Sequence, residues 1–66
     1  METWQARILV EKHELDERIR RLQEAITYRV DLENLQRDLM ARQLGYMKAY
    51  SSTLRDRIAA LEEPGE

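Results

Sequence analysis

The chain has 66 residues, enough for one domain at most. Its 13 acidic and 11 basic residues leave a net charge of −2, which excludes the broad basic surface of a nucleic-acid polymer binder. Cysteine is absent, which excludes a disulfide framework and every thiolate metal site.

A lone core of this size rarely supplies more than about 3–5 kcal/mol. Without a covalent staple, self-association is the expected source of further stability. No apolar run approaches the roughly 20 residues that span a bilayer. The opening "METWQARILVEK" lacks the basic-then-apolar order of a signal peptide. The reading is a soluble protein of the reducing cytoplasm, with no membrane partner.

Alanine, Leu, Glu, Arg and Gln dominate, and more than a third of the residues are charged, a composition of helices. The first helix is expected over residues 3–26. Its large apolar residues step through Trp4, Ile8, Leu15, Ile19, Leu22 and Ile26, one stripe at helical spacing. Glu11 and Lys12 interrupt the stripe where a core residue is due, and Leu9 and Val10 widen it.

A corner follows at 27–31. Thr27, Tyr28 and Val30 are weak helix formers, and Asp31 is a candidate N-cap for the next helix. One continuous helix is the alternative, since no Gly or Pro compels a break there.

The second helix is expected over 32–62. Its stripe runs through Leu32, Leu35 or Gln36, Leu39 or Met40, Gln43, Met47, Tyr50, Leu54, Ile58 and Leu61. Pro64 and Gly65 in the short tail 63–66 end it. The whole is an all-α antiparallel hairpin of two long helices in one domain, residues 1–66. Such a pair leaves Trp4, Leu9 and Val10 wet, and exposed apolar patches of this kind mark interfaces. A homo-oligomeric helical bundle is expected.

Within the second helix, "LGYMKAY" (44–50) departs from the surrounding pattern. No acid occurs between Asp38 and Asp56, while Arg42, Lys48 and Arg55 are basic. Ala41, Gly45 and Ala49 form a strip of small residues where another backbone or a flat ligand can come close. Tyr46 and Tyr50 lie one turn apart. A base stacked on such an aromatic gains about 1–3 kcal/mol, and arginine, nine to two over lysine here, suits bidentate phosphate contacts. Tyr50 reads first as a core residue, Tyr46 equally as the border of an interface, and the small strip first as tight helix packing. Trp4 and Arg7 open the first helix, whose free N–H groups favour an anion. Trp4 reads equally as an oligomer anchor.

No enzyme is legible. "HELDE" superficially has a zincin opening but lacks the second histidine. Glu11, His13, Glu14 and Glu17 read as a solvated face rather than a metal site. A lone His13 with scattered Ser and Thr makes no nucleophile–base pair. No metal and no cofactor is expected.

Two segments carry a resemblance. In "WQARILVEKHELDERIRRL" (4–22) it rests on Trp4, Arg7, Glu11, Lys12, the run Glu14–Ile19 and Leu22. In "LMARQLGYMKAYSSTLRDRI" (39–58) it rests on Leu39, Gln43, Leu44, Met47, Tyr50, Leu54, Arg57 and Ile58. Together they resemble the small helical-hairpin domain of phage anti-defence sponges, the anti-CBASS and anti-Thoeris hairpin family.

The resemblance implies a helical hairpin that assembles into a compact oligomer, often a hexamer. It implies sequestration, without cleavage, of cyclic di- or trinucleotide or cyclic ADP-ribose signals. Pockets would lie between protomers, with an aromatic residue on a base and basic residues at phosphates. Tyr50, Arg57 and Arg7 fall on matched positions, and Arg42 and Tyr46 come from the charge pattern alone. The candidate ligand-binding residues are therefore Arg42, Tyr46, Tyr50, Arg57, Arg7 and Trp4. A small coiled-coil structural or adaptor protein without a small ligand is the competing expectation.

Overall fold

The computed structural model describes residues 3–62. Met1, Glu2 and the tail 63–66, with its proposed Pro64–Gly65 stop, lie outside the described residues. Two helices, α1 (Trp4–Tyr28) and α2 (Asn34–Glu62), pack side by side as an antiparallel hairpin.

Thr3 starts α1. Its backbone is extended, and its hydroxyl accepts a hydrogen bond from the Ala6 N–H at 3.2 Å. That satisfies one of the free donors of the first turn. On the surface of α1, Arg20 spans Glu17 and Glu24, both at 3.1 Å, at spacings that bring helical side chains together.

The corner falls at 29–33 rather than 27–31. Thr27 and Tyr28 stay helical despite their low propensity because Arg37 of α2 reaches back to the end of α1. Its guanidinium donates to the carbonyl of Ile26 and, at 2.6 Å, to that of Arg29. Cationic donors at the free carbonyls of a helix C-terminus satisfy them and oppose the negative end of its dipole. Asp31 does not cap α2. Its carboxylate instead takes the Arg29 guanidinium at 2.8 Å, and α2 begins three residues later, where the Arg37 N–H bonds the Glu33 carbonyl.

The fully apolar core is small. Ile8, Leu15 and Leu54 are buried, with Ile19, Met47 and Ile58 packed against them. The inward stripe of α1 matches the expected one from Ile8 to Ile26, while Trp4 at its start is 56% exposed. That of α2 is shifted by one residue at two steps, Leu44 for Gln43 and Ser51 for Tyr50: Met40, Leu44, Met47, Ser51, Leu54 and Ile58 turn inward at alternating spacings of four and three. Leu35, Gln36, Leu39 and Gln43 face solvent. So does Tyr50, at 46% exposure, while Ser51 beside it is buried at 9%.

The physical reason is a polar layer. Lys12 interrupts the apolar stripe of α1 and lies opposite Ser51. The Ser51 hydroxyl donates to Asp16 at 2.6 Å, and the Lys12 ammonium contacts Asp16 at 2.7 Å and the Ser51 oxygen at 3.4 Å. A tyrosine ring in place of Ser51 would leave this lysine and carboxylate without their third partner, and unpaired polar groups at a helix contact are costly. Among the described residues no buried side-chain polar atom lacks a partner.

Candidate functional site

The antiparallel register sets where the candidate residues stand. Lys12 meets Ser51, and Arg37 meets Ile26. Trp4 and Arg7 therefore lie level with the last turns of α2, near Arg57. Tyr46 and Tyr50 lie level with the Lys12–Glu17 stretch of α1.

The six candidates form two groups. Trp4, Arg7 and Arg57 stand at the open end of the hairpin. Arg42, Tyr46 and Tyr50 stand midway along α2. Arg42 and Arg57 are fifteen residues apart on one helix, about 22 Å at 1.5 Å per residue. The hairpin alone does not bring the two groups into one pocket.

The mid-helix group is open to solvent. Tyr46 is 70% exposed. A methyl group built at Gly45 would meet nothing within 4 Å. The small strip of Ala41, Gly45 and Ala49 thus faces away from α1, and the hairpin itself does not require the glycine. Leu35 and Leu39 continue the same outward face toward the corner, both exposed.

The charges on this face are largely unspent. Arg42, and Lys48 on the opposite flank of α2, make no ion pair with another described residue. Arg55 is engaged, donating to the Ser52 hydroxyl at 3.2 Å and lying 3.6 Å from Asp56. Asp16, in the α1 stretch level with these tyrosines, is paired with the Lys12 ammonium and hydrogen-bonded by the Ser51 hydroxyl. That pairing holds its carboxyl below the usual carboxylate range, the Lys12 hydrogen bond being the main cause and the Ser51 hydroxyl the next.

At the open end Trp4 is 56% exposed beside exposed Leu9 and Val10. These three apolar side chains are the ones expected from the sequence to remain uncovered. The corner carries two more, Tyr28 and Val30, both exposed.

Elsewhere a shallow groove on α1 is lined by His13, Glu14, Glu17, Arg18 and Arg21. It lies on one helix, mixes both signs of charge, and has Glu17 already committed to Arg20. Among the described residues no three His, Asp or Glu side chains gather as a metal site. Among them, too, no helix is long and apolar enough to cross a membrane.

Sequence reasoning missed Arg37, Ser51 and the pairing of Lys12 with Asp16. Only Lys12 left a trace, as a charge where the α1 stripe wanted an apolar side chain.

No curated protein matches the chain, and no solved structure does. The model of one protein family, Sequestin, matches residues 2–60. That span holds both helices, the corner and all six candidate residues. The chain belongs to the Sequestin family, in agreement with its resemblance to the sponge hairpins.

Proposed function

We propose that this protein is a phage-type anti-defence sponge that binds a cyclic nucleotide signal in the host cytoplasm and holds it without cleaving it. The ligand class is a cyclic di- or trinucleotide or a cyclic ADP-ribose. The observation that carries the reading is the outward face of α2, where Arg42, Tyr46 and Tyr50 stand exposed within a stretch that holds no acid between Asp38 and Asp56. The family's name, which denotes sequestration, supports it.

An anion approaching this face meets donors and two phenol rings, with no carboxylate to repel it between Asp38 and Asp56. Tyr46 and Tyr50 stack on bases, and Arg42, on the same side of α2, takes a phosphate. The reading calls for no catalytic group.

The six candidate residues serve one ligand only when two protomers contribute. The open end of one hairpin, with Trp4, Arg7 and Arg57, would complete a pocket begun by Arg42, Tyr46 and Tyr50 of a second copy. The three-residue apolar core and the exposed apolar side chains support the same assembly. A hexamer is the assembly that the family resemblance implies.

The test is retention of labelled cyclic nucleotides by the purified protein, followed by mass analysis of what denaturation releases. Intact ligand is the expected product. Arg42→Glu and Tyr46→Ala should each abolish retention while helicity is kept. Retention unchanged in both would overturn this site, and cleaved ligand would overturn sequestration. The structural coiled-coil reading draws on the open space at Gly45, which suits a second helix as well as a ligand. It requires that no nucleotide raise the melting temperature and that dilution lower it.

A further inference from the structure

The α2 sequence carries two overlapping stripes. Both contain Met40, Met47, Leu54 and Leu61. One fills the intervening steps with Leu44 and Ser51, the other with Gln43 and Tyr50. They differ by a rotation of α2 of about 50° around its own axis, roughly half the step between successive residues. At the upper step Leu44 over Gln43 favours the observed face. At the lower step apolar burial alone favours the rival, because tyrosine carries far more apolar surface than serine.

The observed face is nevertheless the one with Ser51 inward and Tyr50 in solvent. What reverses the preference is the layer made by Lys12, Asp16 and Ser51, with its contacts of 2.7, 2.6 and 3.4 Å. Lys12 occupies an inward step of α1, and its ion pair with Asp16 takes a hydroxyl from α2 as third partner. Ser51 supplies it only in this rotation. A polar group at one inward position is a known means of fixing which faces of two helices meet.

We propose that Lys12, Asp16 and Ser51 are positioning residues for the binding face: they lock the rotation of α2 that keeps Tyr50 out of the helix contact and exposed beside Tyr46. This rests on the sponge reading for its purpose but not for its geometry. Once Lys12 is made apolar, the reason for Ser51 to face α1 is gone, and Tyr50 turns inward. Giving α2 a leucine at 51 then restores the observed face, because the strongest apolar residue is again at that step.

The experiment reads tyrosine exposure directly, without any nucleotide. Native protein is treated briefly with tetranitromethane, and nitration is quantified on tryptic peptides. Tyr28, Tyr46 and Tyr50 fall on separate peptides, LQEAITYR, QLGYMK and AYSSTLR. Tyr28 and Tyr46 serve as internal references, being the more exposed.

In Lys12→Leu the Tyr50 signal relative to Tyr46 should fall several-fold. In Lys12→Leu/Ser51→Leu it should return to the wild-type ratio, which a loss of stability alone would not produce. Asp16→Ala, at a side chain that is 47% exposed, should shift the ratio in the same direction and decides the matter if Lys12→Leu loses its helical signal. A wild-type Tyr50 ratio in every folded single variant overturns the proposal. Cyclic dinucleotide affinity, measured alongside, should drop about tenfold or more in the single variants and recover in the double one. Nitration that follows the proposal while no variant or wild type binds nucleotide would sink the sponge reading and leave the lock standing.

Discussion

The Arg37 guanidinium donates to the carbonyl of Ile26, so the first turns of α2 close the last turn of α1. This contact spans the corner and joins residues eleven apart. It converts a corner without glycine, proline or positive-φ residues into a defined one. It also distinguishes the hairpin from a single long helix, in which Arg37 could not reach Ile26.

Arg37→Ala removes hydrogen bonds from a charged donor to two helix-end carbonyls. The expected loss is about 1.5–3 kcal/mol, seen as a fall of several degrees or more in melting temperature for a chain this small. Arg37→Lys should recover part of it, since lysine keeps the charge but lacks the planar fork. An unchanged melting temperature in Arg37→Ala contradicts the role assigned to this residue.

Acid should weaken the hairpin through Asp16. Its carboxyl titrates below the ordinary 3.8 in the folded chain. A depressed folded pKa stabilises the fold above the unfolded value, and that contribution is lost as pH falls through the folded value. Glu17 beside Arg20 and Asp31 beside Arg29 shift in the same direction, so the whole chain loses stability in acid. Asp16→Asn isolates one group: its melting temperature should lie below wild type at pH 7, and the gap should close below pH 3.8. A gap of constant size down to pH 2 would mean that the variant loses shape rather than charge.

Gly45 lies in open space within the hairpin. Gly45→Ala should therefore stabilise α2 by about 0.8–1 kcal/mol, the difference in helix propensity. Gly45→Leu should keep the helical signal but reduce the assembled mass or the retention of nucleotide, because it fills the strip between Ala41 and Ala49. Wild-type mass and wild-type retention in Gly45→Leu would show that nothing approaches this strip.

Much of the fold was legible because the α1 stripe is unambiguous and the propensity dip near Thr27 and Tyr28 marks a corner. The corner's place was not, because the contact that holds Tyr28 in the helix comes from Arg37, beyond any local window. Asp31 looked like a cap by residue type but had Arg29 two positions away as a stronger partner. On α2 Leu44 beside Gln43 favours one stripe, while Tyr50 beside Ser51 favours the other. Choosing between them required knowing that Lys12 lies across from Ser51, thirty-nine residues away. The acid-free stretch and its tyrosines were readable as composition. That they face away from α1 was not, since it follows from the same rotation.

The central claim is that this face holds a cyclic nucleotide. It is tested most directly by a thermal-shift screen of the purified protein against cyclic di- and trinucleotides and cyclic ADP-ribose isomers, with the mass in solution recorded for each. Ligand at 100-fold excess over Kd adds about 2.7 kcal/mol per site, a rise of several degrees for a chain this size. The account predicts such a rise for one ligand class, on an oligomer, and its loss in Tyr46→Ala. A flat response across the screen from a stable, correctly assembled oligomer would contradict it and leave the α2 face as a surface for helix packing alone.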